Sequence, residues 1–214
     1  MNYPTFFESK NSINLFGLKK RLIFLLNLYN KEKLPKVVML TGKKGSGKST
    51  LINHFLFSIF DNKNYDSENF RQKNNSNFIH QFKNNIFPNI IYLKGSDYKS
   101  VKIEDIRELK KKISKSSILN KDRFIVLDDV EVFNLSSLNA LLKLIEEPGD
   151  KNYFFLINNK SKPVIETIKS RAIEINIFLN ETERLEIIKE LIRILKITPY
   201  IDPKESLLSP GDFI

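Results

Sequence analysis

Residues 42–50, GKKGSGKST, have the types and spacing needed to bind phosphate. They fit the pattern G-x-x-x-x-G-K-[ST]. In such a loop, backbone N–H groups and the positive end of the following helix bind phosphate oxygens. Lys48 would supply a cation for the outer phosphates, and the Ser49 hydroxyl would ligate Mg²⁺. The predicted nucleotide-binding residues are Gly42, Gly45, Gly47, Lys48, Ser49 and Thr50.

Two carboxylates follow the apolar run in DRFIVLDD. Magnesium bound to a nucleotide prefers one or two carboxylates beside water and phosphate oxygens, so we predict that Asp128 is its protein ligand together with Ser49. Hydrolysis also needs a group that orients the attacking water, and Asp129 has the position for this. Its side chain is one methylene shorter than that of glutamate, and a misplacement of about 1 Å can lower a rate about a hundredfold. Asp129 is therefore predicted to be a slow base, or none.

Strands and helices alternate around these residues. Four apolar runs predict buried strands: VVML before the phosphate loop, residues 89–95, residues 124–127 and residues 153–159. This alternation predicts an α/β fold with a mostly parallel sheet flanked by helices. Ligands of such sheets gather where the strands end, and the predicted magnesium site lies there.

Two stretches between the strands predict helices. Ile103, Ile106, Leu109 and Ile113 recur at helical spacing, and SSLNALLKLIEEPG carries an apolar face that ends at Pro148 and Gly149. The stretch 61–85 is polar and asparagine-rich with little periodicity, which predicts a loop or a mobile insertion.

A further helical element is predicted to begin near residue 180. Asn180 can cap a helix with Glu183 three residues later, and an apolar stripe follows. After this helix there is room for at most one short further helix. We therefore expect a nucleotide-binding domain over residues 1–178 and a small helical lid over residues 179–214.

Composition excludes several kinds of protein. The 214 residues include no cysteine, and His54 and His80 are not at metal-ligand spacing, so we expect neither disulfides nor a structural zinc. No apolar run approaches the roughly 18 residues of a membrane helix. The stretch MNYPTFFESK lacks the features of a signal peptide. We expect a cytoplasmic protein.

The formal charge of +10 has two explanations. It favours a nucleic acid or another polyanion as partner, but a chain rich in Lys, Asn and Ile also arises from low-GC coding without any functional demand. The cationic residues of the helix that starts near Ile103 are open to the same two interpretations, as a solvated face or as a track for DNA phosphates.

Two further motifs carry a family resemblance. NALLKLIEEP, with its exit at Pro148, and IKSR, ending at Arg171, resemble motifs of the clamp-loader AAA+ ATPases, most closely the delta-prime subunits of bacterial DNA polymerase III. LLSPGDFI resembles the G-S-P-G-R segment of their lid. The match runs from about Leu15 to the end of the sequence, and its portion 134–172 is the most specific.

The resemblance implies a P-loop AAA+ domain followed by a lid, with ATP and Mg²⁺ as cofactors. Lys48 and Ser49 would form Walker A, Asp128 and Asp129 would form Walker B, and Asn158 or Asn159 would stand at sensor 1, with Asn158 the first choice. Arg171 would act in trans, as an arginine finger in a neighbouring subunit's site. The alternative is that Arg171 only forms a surface salt bridge.

The sequence departs from the family in four places. Ala172 replaces a cysteine, the zinc-binding cysteines between the Walker motifs are missing, and Asp212 stands where a sensor 2 arginine would be. The collar domain through which these subunits assemble is not found in this sequence, so we expect either a fragment or an unusually short protein. The aspartate weakens the case for efficient hydrolysis.

Three functions remain open. The first is a delta-prime-like subunit that binds ATP, hydrolyses it weakly or only in the assembled complex, and helps load the sliding clamp on primed DNA. The second is a self-sufficient, gamma-like ATPase motor, and the third is a scaffold that binds no nucleotide. The expected partners are other clamp-loader subunits in a hetero-oligomer, primer-template DNA and, indirectly, the clamp.

Overall fold

The computed structural model describes residues 8–73, 75–95, 101–114 and 121–214. Its strands are β1 (Val37–Thr41), β2 (Tyr65–Asp66), β3 (Arg71–Gln72), β4 (Ile90–Lys94), β5 (Arg123–Asp128), β6 (Asn152–Asn158) and β7 (Ile173–Asn176). Its α-helices are α1 (Lys19–Asn30), α2 (Lys48–Phe60), α3 (Asn77–Lys83), α4 (Ile103–Ile113), α5 (Leu135–Glu146), α6 (Glu166–Lys169), α7 (Glu181–Leu195) and α8 (Pro210–Phe213). The first residues of the chain, which bear on the prediction about a signal peptide, lie outside the described residues.

The chain divides into two compact units. The sheet unit comprises Pro35–Thr41 and Asn84–Asn176. The loop unit comprises the chain up to Leu34, Gly42–Lys83 and Ile177–Ile214. The sheet unit holds β1 and β4 to β7, whereas the loop unit holds the phosphate loop, α1 to α3, α7 and α8. The predicted boundary near residue 178 stays a prediction about domains.

The sheet unit is built on five parallel strands in the order β4-β5-β6-β1-β7. This confirms the α/β fold class and the four predicted strands; no prediction covered β7. Thr41 pairs with Asn158 of β6 and with Asn176 of β7, so the carboxyl ends of these strands meet at one edge of the sheet. Asp128 ends β5, the next strand beyond β6.

One face of this sheet forms a core with α4, α5 and α6. The strands contribute alternate residues, Val37 and Met39 from β1 and their counterparts on β5 and β6, because side chains of a strand alternate between its faces. Ile106 and Leu109 of α4 and Leu141 of α5 pack against them. The predicted apolar faces of both helices are therefore confirmed.

Both helices begin with local side-chain bonds. The Asn134 side chain accepts a hydrogen bond from the Ser137 N–H and caps α5, while the Asp105 carboxylate accepts from the Lys102 N–H at the start of α4. Such bonds satisfy N–H groups that a helix leaves without partners in its first turn. The helix α5 ends at Glu146, just before the predicted exit at Pro148.

Within the loop unit, the prediction of a loop or mobile insertion over 61–85 is wrong. This stretch contains the β2–β3 hairpin and α3, and it packs on α2 through aromatic rings. Phe57 of α2 lies 6.2 Å from Phe78 and 5.1 Å from Phe82 in edge-on geometry, measured between ring centroids. The Gln72 amide also donates to the Asp61 carboxylate at 2.7 Å. Buried aromatic surface, rather than periodicity, orders the segment.

The predicted helix that begins near residue 180 is confirmed, while its assignment to a separate lid stays a prediction. Asn180 and Glu183 form the expected capping box, in which the Asn180 side chain accepts from the Glu183 N–H and the Glu183 carboxylate accepts from the Asn180 N–H. One short helix, α8, follows α7. In the ranges that the structure describes, no helix combines the length and the apolar character needed to cross a bilayer.

Candidate nucleotide site

The phosphate loop has the backbone geometry that its glycines permit. Gly45 and Gly47 have φ angles of 71° and 86°, in the left-handed region where side chains are disfavoured. Gly47 is the residue before α2, and its carbonyl accepts the N–H of Leu51 as the helix begins. A Cβ on Gly42 would lie 2.5 Å from the carbonyl oxygen of Ile177. The loop therefore requires glycine at all three positions.

The Lys48 side chain folds back onto the loop. Its ammonium group donates to the carbonyls of Gly42 at 2.9 Å and Lys43 at 2.6 Å and to the Ser46 hydroxyl at 3.3 Å, and the residue is only 3% exposed. The cation is thus held inside the curve of the loop. Ser49 and Thr50 follow it in the first turn of α2, at the positive end of the helix.

In the sheet unit, Asp128 ends β5 as a buried carboxylate. The Tyr92 hydroxyl donates to its Oδ2 at 3.0 Å, and the backbone N–H of Asp129 donates to its Oδ1 at 2.9 Å. Both bonds fix the orientation of the carboxylate. A fixed carboxylate at a strand end is suited to bind a divalent cation directly or through water.

Asp129 adopts a left-handed conformation, with φ 56° and ψ 43°, which is uncommon for a residue other than glycine. Its neighbour Gly95 leaves the necessary space, since a Cβ there would lie 2.8 Å from the Asp129 carbonyl oxygen. The Asn159 side chain donates from Nδ2 to Oδ1 of Asp129 at 2.6 Å. Asp129 is therefore held by a hydrogen bond from the end of β6.

A buried glutamate supports this arrangement. Oε1 of Glu131 accepts the Asn159 backbone N–H at 3.0 Å and the Ser161 hydroxyl at 2.9 Å, and the residue is 6% exposed. Asn159 is thus bonded through its backbone to Glu131 and through its side chain to Asp129. Glu131 acts on Asp129 by positioning the amide that contacts it.

The predicted sensor residue Asn158 lies one position earlier, at the end of β6. It is 5% exposed, and its Oδ1 accepts the backbone N–H of Lys160 at 2.9 Å. Asn158 and Thr41 line an open pocket at this edge of the sheet, together with the loop that follows β6. The structure therefore gives the two candidate asparagines different surroundings: Asn159 contacts Asp129, whereas Asn158 turns its oxygen to its own loop.

Arg171 lies at the surface of the sheet unit. Its Nε and Nη2 both contact Oε1 of Glu146, at 2.8 and 2.7 Å, and its Nη1 donates to the Thr167 carbonyl at 2.9 Å. The Arg171 side chain keeps 37% of its surface exposed. The guanidinium is thus ion-paired within the chain and still accessible from outside.

The predicted residues fall into the two units, and Arg171 contacts Glu146 and Thr167 rather than the strand-end carboxylates. The loop unit holds the six phosphate-loop residues, and the sheet unit holds Asp128, Asp129, Asn158 and Arg171. Whether Ser49 and Asp128 share one Mg²⁺ stays a prediction. Sequence reasoning missed Glu131 as a positioning residue; an acid inside the apolar run V-E-V-F was the available signal.

Comparison with known proteins identifies the family. The family model described as "DNA polymerase III, delta subunit" matches residues 18–180. The DNA polymerase III subunit delta' of Buchnera aphidicola subsp. Schizaphis graminum is 39% identical over 70 residues, which cover 33% of this chain and 21% of that protein. The DNA polymerase III subunit gamma of Buchnera aphidicola subsp. Acyrthosiphon pisum is 26% identical over 194 residues, which cover 91% of this chain and 50% of that protein. The chain thus spans half or less of the length of these relatives.

Among solved structures, a DNA polymerase III gamma subunit-related protein of Thermotoga maritima aligns with a TM-score of 0.56 and 18% identity, over 80% of this chain and 52% of that one. This likeness supports the P-loop AAA+ fold. The family model covers most of the chain, including the phosphate loop, both strand-end carboxylates and the IKSR motif. The resemblance to delta-prime-like clamp-loader subunits is therefore confirmed, and the chain belongs to the DNA polymerase III delta subunit family.

Proposed function

We propose that this chain is a clamp-loader subunit of DNA polymerase III, delta-prime-like in role, which binds ATP in the cytoplasm and supplies Arg171 to a neighbouring subunit. The proposal that the chain binds ATP rests on the geometry of the phosphate loop. Its two left-handed glycines and the buried Lys48 at the start of α2 fit a triphosphate. Family membership carries the part that concerns the clamp loader.

The residues present fit ATP with Mg²⁺. Gly42, Gly45, Gly47 and Lys48 would hold the phosphates, Ser49 and Asp128 would hold the metal ion, and Thr50 follows in the same turn. When bound, the metal ion would neutralise charge on the phosphates.

The hydrogen bond and the backbone conformation of Asp129 favour a subunit that binds ATP but hydrolyses it slowly. Its carboxylate accepts a 2.6 Å hydrogen bond from the Asn159 amide, and its backbone is fixed in a left-handed turn. A base that must orient water needs a free oxygen at the right place, and the short aspartate side chain has little range. We propose that this subunit holds ATP and turns it over slowly, or only in the complex.

Replacing Lys48 by alanine is expected to weaken ATP binding about tenfold to a hundredfold, which corresponds to the loss of charge-assisted hydrogen bonds to phosphate. Equilibrium titration of a fluorescent ATP analogue with Mg²⁺ measures this directly. Lys44→Ala is the matched control, since it removes an exposed cation from the same loop. Equal affinities of wild type and Lys48→Ala would contradict the proposal and favour a scaffold that binds no nucleotide.

A gamma-like motor is the second candidate, and the intact phosphate loop together with the similarity to a gamma subunit over 91% of the chain favours it. Steady-state ATP turnover by the purified chain separates the two. Slow turnover that Asp129→Asn leaves unchanged supports the delta-prime-like role. Brisk turnover by the chain alone, abolished in Asp129→Asn, would establish the motor.

The proposed partners are the other subunits of the clamp loader, primer-template DNA and, indirectly, the sliding clamp. The cations of α4 are exposed, including Arg107 and Lys110 to Lys112, so contact with DNA would rest on neutralisation of phosphates and would be weak and salt-sensitive for one subunit. Purification of the tagged chain from its native cell tests this set. We expect polymerase III subunits to co-purify, and their absence would contradict the assignment to a clamp loader.

A further inference from the structure

Residues 209–213, which include α8, lie directly against the phosphate loop within the loop unit. The Gly211 N–H donates to the Gly45 carbonyl at 2.9 Å. A Cβ on Gly45 would lie 2.2 Å from the Ser209 Oγ and 2.8 Å from the Asp212 nitrogen, and a Cβ on Gly211 would lie 2.9 Å from the Gly45 Cα. The two backbones are therefore in contact, and both glycines are needed for it.

A buried arginine anchors this segment to α7. Arg184 is 7% exposed, and its guanidinium donates to the Pro203 carbonyl at 2.7 Å and to the Leu208 carbonyl at 3.1 Å. The same group pairs with the Glu181 carboxylate at 2.6 Å. The residue before Ser209 is thus tied to α7, which fixes the approach of the segment to Gly45.

The segment places a negative charge beside the loop. The Ser209 hydroxyl packs against Gly45, where a Cβ would lie only 2.2 Å from its oxygen, and it donates to Oδ2 of Asp212 at 2.8 Å. This hydrogen bond therefore holds the Asp212 carboxylate beside a residue that packs on the middle of the phosphate loop. A carboxylate at this place repels phosphate oxygens, and the repulsion is larger near a protein surface than in bulk water.

We propose that Asp212 selects among charge states of the nucleotide, by lowering the affinity of the phosphate loop for the most negatively charged forms. ATP without a metal ion carries more negative charge than its Mg²⁺ complex, so Asp212 penalises the metal-free form more strongly. This inference rests on the proposed ATP binding. It makes Asp212 a residue that determines specificity, because the chain would bind the metal complex in preference to free ATP.

The test compares ATP affinity with and without Mg²⁺ in wild type, Asp212→Asn and Asp212→Lys, by equilibrium titration of the full chain. We expect Asp212→Asn to tighten the binding of metal-free ATP about tenfold, from the removal of one like charge, and to change the binding of the Mg²⁺ complex less. Asp212→Lys should tighten the binding of metal-free ATP further than Asp212→Asn does. In 1 M salt the difference between wild type and Asp212→Asn should shrink, because added ions screen the repulsion.

Two controls separate charge from structure. Ser209→Ala removes the hydrogen bond to Asp212 but keeps the carboxylate, so it should leave the preference for the Mg²⁺ complex in place. Asp202→Asn removes the same charge from an exposed position of the loop unit, where the carboxylate caps a turn through the Lys204 N–H, and should leave ATP affinity unchanged.

The outcomes distinguish this inference from the proposed function. If Lys48→Ala weakens binding while Asp212→Asn and Asp212→Lys match wild type in both conditions, ATP binding stands and the role of Asp212 is wrong. An equal gain for metal-free ATP and for the Mg²⁺ complex would also refute the selection. If neither wild type nor the Asp212 variants bind ATP, both the proposed function and this inference are wrong.

Discussion

In the assembled complex, Arg171→Ala is expected to lower ATP turnover about 10³-fold, the lower end of what an arginine finger supplies in phosphoryl transfer. The affinity of this chain for ATP should stay unchanged, because Arg171 is proposed to serve the site of a neighbouring subunit. Turnover by the reconstituted complex and nucleotide binding by the isolated chain are the two measurements.

The surroundings of Arg171 are compatible with such a role. Its ion pair with Glu146 is exposed on both sides, with 37% and 44% of the two side chains accessible. An exposed pair of this kind contributes about 0 to 1 kcal/mol. The guanidinium can therefore leave Glu146 for a phosphate at little energetic cost, and Glu146→Gln should change turnover far less than Arg171→Ala.

Arg193→Ala provides the matched control for this experiment. Arg193 is an exposed arginine that pairs with a glutamate on α7, so its removal takes the same charge from a different surface. Turnover within a fewfold of wild type is expected for this control. If Arg171→Ala behaves like Arg193→Ala in a complex that assembles normally, Arg171 is only half of a surface salt bridge.

Acidification from pH 7 to pH 4 is expected to reduce the free energy of unfolding by on the order of 3 kcal/mol through His54 alone. His54 lies fully buried on α2, and burial lowers its pKa from the ordinary 6.5 to about 4. The imidazole is therefore neutral in the folded chain at pH values where it binds a proton in the unfolded chain. Stability falls as the pH drops below about 6.5, and the loss is complete below about 4.

The hydrogen bonds of His54 explain why the charged form is disfavoured. Its Nε2 lies 3.1 Å from the Ser12 carbonyl oxygen, so this nitrogen carries the proton and donates. Its Nδ1 lies 3.0 Å from the Tyr65 hydroxyl and accepts from it. A protonated ring would turn Nδ1 into a donor and force the hydroxyl of the buried Tyr65 to reorient.

Urea unfolding at a series of pH values between 7 and 4.5 measures this effect. His54→Gln can keep one donor and one acceptor without titrating, so its stability should vary less with pH than that of wild type. His80→Gln, at an exposed position, is the control and should follow wild type. If the free energy of unfolding of wild type and of His54→Gln changed equally with pH, the pH dependence could not be assigned to His54.

The central strands β1, β5 and β6 were predictable because they are largely buried on both faces, and the edge strand β4 because it is apolar although only partly buried. Continuous apolar runs marked β1, β4, β5 and β6, and burial of Val38 and Leu40 alongside Val37 and Met39 is the reason that β1 shows no alternation. The edge strand β7 escaped prediction. Its sequence IEIN alternates over only four residues, and three of these residues are exposed, so it lacks the apolar run that marked the other strands.

The stretch after α2 misled the sequence analysis for a physical reason. Its composition is polar, and the few aromatic residues that order it are spaced irregularly along the chain. Phe78 and Phe82 become informative only when α2 presents Phe57 to them. A contact between distant elements overrides local propensity, and one sequence does not reveal such a contact.

The places of the candidate residues at the start of α2 and the end of β5 were predictable, their contacts were less so, and their roles stay predictions. Spacing identified Lys48 and the position at a strand end identified Asp128, since both follow from local chain geometry. The bond from Asn159 to Asp129 depends on how the turn after β5 faces the end of β6, which spacing along the chain does not determine. The contact of Gly211 with Gly45 spans most of the sequence and was likewise beyond local reasoning.

If this chain turns ATP over slowly, as proposed, the left-handed turn at Asp129 limits how it could be converted into a fast enzyme. A glutamate at this position would need the same turn, the space that Gly95 leaves and a replacement for the amide that now occupies the carboxylate. A single exchange would satisfy only one of these requirements. Fast ATP hydrolysis would therefore require several substitutions at the same time. For this reason, a lineage that has lost fast hydrolysis would not easily regain it.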